Sequence, residues 1–338
     1  MAQLTMRFDL RVPAFAETDH AAQYRACLDM SAWAERNGFG RIIVSEHHGD
    51  AAGYTPAPLT LAAAILARTE RIKVLVAALL VPLHDPVRLA EQLATLDCLA
   101  PGRLSVVVGA GYRKAEFDMA GIDRRTRGRL VEECVALWRL AWTGEPFEWH
   151  GRQLLVTPAP ATPGGPRIMI GGKSEIAARR AARLGCTFYP ANTEPALAAA
   201  YYDECRTLGY AGTVAGAAPG QAPQAGFVMV SNDPEATWLK IGNSALYDAA
   251  TYAAWQDDSV RSSWVVPDTT DLAALRASGR YLVVTPAQCR DLAERQGALT
   301  LHPLMGGIAP DLAWDSLHLL ESEVLPFLGA DSASAAPP

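Results

Sequence analysis

The stretch VSEHHGD, residues 44–50, places Glu46, His47 and His48 directly behind the apolar run Ile42-Ile43-Val44. Two imidazoles and a carboxylate are costly to bury without partners. An imidazole titrates near neutrality and can take or give one proton, so the first chemistry to weigh is general acid–base work. Successive residues past a strand point in different directions. One histidine is therefore expected to face a site, and the other to be structural or on the surface. A metal centre is not indicated: H-x-x-x-H, H-E-x-x-H and Cys/His clusters at zinc spacing are missing from the chain.

Three more stretches carry chemistry-bearing residues at the ends of apolar runs. In VPLHDP, residues 81–86, His84 follows such a run, and Asp85 before Pro86 reads as a helix N-cap. In VVVGAGYRKAEF, residues 106–117, Lys114 stands where a dinucleotide fingerprint needs glycine or alanine. The looser reading is that Gly109, Ala110, Gly111 and Tyr112 let something flat or bulky approach the backbone. In IMIGGKSEIAARRAARLG, residues 168–185, a strand ends in Gly171, Gly172, Lys173 and Ser174, and a helix begins. It is not a Walker A loop, because Arg167 stands where the first glycine would fall. Free N–H groups at a helix start, a lysine and a hydroxyl suit an anion such as phosphate. The competing reading makes Ser174 a plain N-cap.

These residues need a scaffold that brings strand ends together. Short β-rich runs alternate with helical segments, which argues for βα units and a parallel sheet. Strands are expected at 7–12, 41–45, 72–80, 104–108, 167–170, 187–189, 225–230 and 298–301. A count close to eight favours an α/β fold, a (β/α)8 TIM barrel forming a single domain over 1–329. In that fold the C-terminal strand ends carry the site. Segments 45–48, 109–112 and 171–174 all fall there. Insertions at the mouth are expected at about 144–166 and 240–280. The second holds Tyr247, Tyr252, Trp255 and Trp264 and is expected as a lid-like loop. Residues 330–338 read as a disordered tail.

Composition narrows the class. Of 338 residues, 50% are apolar and 20% are charged, as in a soluble globular enzyme. A net charge of −6 offers no broad basic face for nucleic acid. No apolar stretch is long enough for a membrane span, and the start lacks a secretory segment. Six scattered cysteines suit reduced thiols in the cytoplasm.

Five segments occur in a telling order: Ser45-Glu46-His47-His48; VAALLVPLHDPVRLAEQLATLDCLAPGRLSVVVGAGY (76–112); EFDMAGID with RGRLVEECVALW (116–138); PRIMIGGKS (166–174); and HPLMGGIAPDLAWDSL (302–317). Together they resemble the bacterial luciferase-like, flavin-dependent oxidoreductase family over most of the chain. The resemblance implies a (β/α)8 barrel with reduced flavin at its mouth. It implies a non-proline cis peptide at Ala77-Ala78 behind the flavin ring, and His47 near the flavin as the proton-handling group. The implied activity is a two-component monooxygenase using reduced FMN from a separate reductase and O2, through C4a-peroxyflavin chemistry. Its substrate would be a mostly apolar small organic molecule near His48, His84 and Trp255. A homodimer is implied as well. Gly109 stands where the light-emitting branch has a reactive cysteine, so light emission has no support. Lys173 stands where that branch has a glutamate. The alternative on the same barrel is a deazaflavin-dependent hydride-transfer oxidoreductase. Its longer anionic tail wants a basic groove that the sequence does not display. A second alternative is a non-catalytic flavin-binding relative, against which the retained His47 argues.

Overall fold

The computed structural model describes residues 2–216, 225–256, 266 and 271–328. Trp264 and the expected tail at 330–338 lie outside them. The strands are β1 (Gln3–Phe8), β2 (Arg41–Val44), β3 (Lys73–Leu79), β4 (Leu104–Val108), β5 (Phe147–Trp149), β6 (Arg152–Leu154), β7 (Arg167–Gly172), β8 (Thr187–Pro190), β9 (Phe227–Val230), β10 (Tyr281–Val284) and β11 (Ala298–Leu301). The helices are α1 (His20–Arg36), α2 (Pro58–Arg68), α3 (Pro86–Leu99), α4 (Lys114–Ala120), α5 (Arg127–Ala141), α6 (Glu175–Arg183), α7 (Pro195–Thr207), α8 (Pro234–Trp255), α9 (Leu272–Ala277), α10 (Pro286–Gln296) and α11 (Pro310–Glu323).

Seven parallel strands form one curled sheet in the order β11-β1-β2-β3-β4-β7-β8. Helices cross between successive strands, as parallel pairing requires. β9 and β10 form a second parallel pair, with β9 beside β11. β5 and β6 form a small antiparallel hairpin within the expected insertion at 144–166.

The sheet has two apolar faces, as a parallel sheet covered on both sides should. Ile42, Val44, Val74, Val76, Val106, Val108, Ile170 and Phe188 join the helices in the main core. The alternate residues point the other way. Leu75, Val107 and Met169 form a separate inner cluster with Ile43, Ala77 and Tyr189. Two residues further along the inner face, the side chains shrink to Ser45, Ala77, Gly109 and Gly171. This step from large to small opens a hollow at the C-terminal strand ends. Glycine is needed at two of these positions. A Cβ on Gly109 would lie 2.8 Å from the Ala78 Cβ, and one on Gly171 would lie 2.7 Å from Val107 Cγ1. The β3–β4 register shifts between Ala77 and Leu79, and the Ala77–Ala78 peptide is cis.

Three expectations need correction. The first strand begins and ends earlier than 7–12, because Leu4, Met6 and Phe8 are its core-facing residues. Beyond it, Arg11 pairs with Asp9 instead of continuing the ladder. Much of 240–280 is not a loop. Tyr247, Tyr252 and Trp255 lie on α8, a helix of 22 residues capped by Asp233. Trp238, Ile241, Ala245, Ala249 and Tyr252 recur at helical spacing and bury one side of it. The third correction is β10, a parallel strand that the count of eight omitted.

Candidate active site

β2 ends by delivering Ser45, Glu46 and His47 to the hollow. His47 Nδ1 lies 2.8 Å from Glu116 Oε1, a buried carboxylate oxygen on α4. The same oxygen accepts the His48 backbone N–H at 3.1 Å and Arg113 Nη1 at 3.1 Å. An oxygen already accepting from two donors meets His47 as a third, so Nδ1 carries the ring proton. Nε2 keeps its lone pair, with the Tyr112 hydroxyl 3.5 Å away. Tyr54 and Trp255 each pack with ring centroids 4.7 Å from that of His47. The Arg113 guanidinium lies 3.9 Å from the Trp255 ring centroid, on its face. Burial lowers the His47 pKa from 6.5 against the pull of Glu116. The ring is therefore neutral at pH 7 and able to accept a proton at Nε2.

His47 lines a cavity of about 630 Å³. The same cavity is lined by Ala77 and Ala78, by Gly109, Ala110, Gly111 and Tyr112, and by Gly171, Gly172, Lys173 and Ser174. Segments remote in sequence thus share one hollow. Ser174 also caps α6, accepting the Ala177 N–H at 3.3 Å, so the capping and anion readings are compatible. Lys173 Nζ is 3.4 Å from Gln256 Oε1 and 5.5 Å from the Tyr112 ring centroid. Arg125, Arg127 and Arg180 line the cavity too. Asp123 pairs with Arg125 and Glu132 with Arg180, each at 2.9 Å, so part of this charge is offset. The cations come from α6 and from the approach to α5, so no run in the sequence announces them. They stand near two helix N-termini, where backbone N–H groups add positive potential.

The three residues expected at a substrate pocket do not line this cavity. His48 Nε2 and His84 Nε2 lie 2.7 and 2.6 Å from Glu46 Oε1, and Leu80 N–H donates to Glu46 Oε2 at 2.6 Å. Both histidines are committed to Glu46, because the chain after β2 turns His48 away from His47. Burial alone would raise the Glu46 pKa, but these hydrogen bonds hold it down at about 2. The ligand-type atoms of Glu46, His48 and His84 lie within 4.8 Å of one another, a grouping that linear spacing hides. Their short N···O separations are hydrogen-bond distances. Trp255 packs on His47 and Arg113 and forms part of the wall behind the histidine. Sequence reasoning missed Glu116, Arg113, Tyr54, Arg7 and Arg280. Glu116 stood in a quoted motif, but only the fold brings it to His47.

The buried histidines set a pH dependence. His47 and His302 both have pKa values below 6.5, with burial as the leading cause. Below pH 6.5 the unfolded chain binds protons that these two rings refuse, so stability falls with pH. His48 is raised by its bond to Glu46. Its stabilising contribution is full below 6.5 and lost as pH rises through its folded value. Two buried rings oppose one half-buried ring. The urea midpoint is therefore expected to drop from pH 7 to pH 5.5, as the unfolding free energy falls by up to about 1.4 kcal/mol per pH unit for each neutral ring. A midpoint that is flat or rises over that range would contradict this assignment.

A family model described as luciferase-like monooxygenase matches residues 6–297. The chain belongs to the luciferase-like monooxygenase family. An FMNH(2)-dependent dimethylsulfone monooxygenase of Pseudomonas putida is 32% identical over 46% of this chain and 46% of its own length. An F420-dependent glucose-6-phosphate dehydrogenase of Nocardia farcinica is 32% identical over 48% of this chain and 52% of its own. The first curated relatives are matched over 39% and 44% of their length. The crystal structure of the monooxygenase RslO1 from Streptomyces bottropensis superposes with a TM-score of 0.72 at 22% identity, covering 96% of this chain and 99% of that one. RslO1 thus shares this fold at low identity. No helix among the described residues is long and apolar enough to cross a membrane.

Proposed function

We propose that this protein is a two-component monooxygenase that takes reduced FMN from a separate reductase and uses O2 to oxidise a small organic molecule. The observation that carries the reading is the single hollow joining His47 to the start of α6 past Ala77-Ala78 and Gly109. Its size suits a small-molecule or cofactor site. The small-residue layer makes one wall that a planar ring system can approach, and the α5–α6 end offers N–H groups and cations to a phosphate. In this reading the curled sheet closes as a (β/α)8 barrel, the protein acts in the cytoplasm, and two copies form a homodimer.

Bound reduced FMN would supply the electrons that activate O2. The chain's own residues do the rest. Lys173, Ser174 and the α6 N–H groups hold the phosphate. Gly109 and Gly171 present bare backbone in the wall that the ring approaches. His47 accepts or returns a proton at Nε2, while Glu116 fixes its tautomer. Tyr54, Tyr112 and Trp255 surround the imidazole and keep water from it. Titration with FMN, followed by flavin absorbance, tests the reading; saturable binding and oxygen uptake with reduced FMN are expected.

The second reading, a deazaflavin-dependent hydride-transfer enzyme, is favoured by the cations Arg125, Arg127 and Arg180, which would suit a longer anionic tail. Binding of a deazaflavin with no binding of FMN would select it.

A further inference from the structure

Among the described residues, positive charge exceeds negative charge at the β1 side of the cavity. Three guanidinium groups lie there, those of Arg7, Arg11 and Arg280, with two carboxylates, Asp9 and Asp248. Arg11 takes both. It pairs with Asp9 at 2.6 Å and also with Asp248, and the Tyr281 hydroxyl donates to Asp248 as well. His302 lies 3.4 Å from Asp9. Arg7 is left with the Tyr252 hydroxyl at 2.6 Å, and Tyr252 in turn contacts the Tyr54 hydroxyl at 2.8 Å. Arg280 has less. Its Nε and Nη1 atoms are buried and make no hydrogen bond, and burial lowers its pKa. Neither Arg7 nor Arg280 forms an ion pair with a carboxylate among the described residues.

Both arginines line the cavity that holds His47, together with Gly226, Tyr252 and Thr300. A smaller recess shares Arg7, Gly226, Tyr252 and Arg280 and ends on Asp248, Tyr281 and His302. Arg7 is placed there by strand alternation: Met6 and Phe8 face the helices, so Arg7, in register with Ile43, faces the hollow. Arg280 is half-buried with two enclosed donors unused, a costly arrangement unless something completes it. The planar fork of arginine matches a carboxylate in geometry and charge.

We propose that Arg7 and Arg280 form a carboxylate subsite, and that the substrate is an organic acid whose anion they bind while its apolar body lies along the small-residue layer. This rests on the monooxygenase reading and narrows its substrate class.

The test uses the full chain and matched probes: octanoate, benzoate and 2-naphthoate, each against its primary amide, by isothermal titration. At least one acid is expected to bind about tenfold or more tightly than its amide. Arg280→Met should bring that ratio to about one, and Arg7→Met should reduce it. Arg280→Met should also leave the urea midpoint unchanged or raise it, because it removes a half-buried cation that has no carboxylate partner among the described residues. A structural arginine would give a clear loss of stability instead. FMN affinity should stay within about twofold of the parent. The subsite is overturned if no acid outbinds its amide, if the preference survives both substitutions, or if Arg280→Met weakens FMN but not riboflavin. The last result would assign these arginines to the cofactor phosphate. A parent protein that binds the acids selectively but binds no flavin would sink the monooxygenase reading and leave the subsite standing.

Discussion

His47→Ala is expected to lower turnover by about two to four orders of magnitude, the range that a positioned acid–base group contributes. FMN affinity should change little, because the imidazole touches the hollow with one nitrogen and spends the other on Glu116. The acidic limb of the pH–rate profile offers a sharper check. His47 must be neutral to accept a proton, so turnover should fall as pH drops through a value below 6.5, the direction in which burial moves this ring. Glu116 opposes that movement. Glu116→Gln should therefore carry the limb to still lower pH, while His47→Ala should abolish it. Oxygen uptake with reduced FMN, measured across pH for the three proteins, decides the matter. Parental turnover in His47→Ala would remove this residue from the chemistry.

Lys173→Glu carries the second large effect. The substitution reverses a charge at the start of α6, where N–H groups and a cation are proposed to meet the FMN phosphate. Loss of a charge-assisted contact together with new repulsion is expected to weaken FMN about a hundredfold. Riboflavin lacks the phosphate, so its binding should weaken by no more than about threefold. Fluorescence titration of both flavins against both proteins gives the ratio directly. Equal losses would place the phosphate elsewhere. Unchanged binding of both would show that the neighbouring arginines suffice without the lysine.

What the sequence disclosed follows from how far apart the cooperating residues lie. Gly171 to Ser174 could be read as an anion-binding turn because strand end, glycines, lysine and helix start are contiguous. The small residues at 77–78 and 109–111 were visible for the same reason. Glu116 was not, because its partner His47 is 69 residues away and nothing local distinguishes it from a solvent-facing helical carboxylate. The two histidines after Glu46 looked equivalent; only the turn of the chain after β2 sends one to the hollow and one to Glu46. Arg7 lay on an expected strand, yet that strand starts four residues earlier than the pattern suggested, and Arg7 sits inside it between the core-facing Met6 and Phe8. α8 was mistaken for a loop because Tyr247, Tyr252 and Trp255 drew the eye as aromatics. The apolar spacing that begins at Trp238 is the better guide. β10 is four residues long, too short a run to stand out beside the helix that Thr285 caps.

The hollow is made by taking side chains away while the strands stay paired, with one shift of register, between Ala77 and Leu79. Its outline is thus written in a handful of positions that do not bear the weight of the sheet. Exchanges at Ser45 or along the rim could reshape what fits inside while the scaffold folds as before. Enlargement at Gly109 or Gly171 has no such freedom, since the neighbouring strand already fills that space. One part of the chamber is therefore open to revision and another is fixed, and a search for altered selectivity should begin with the first.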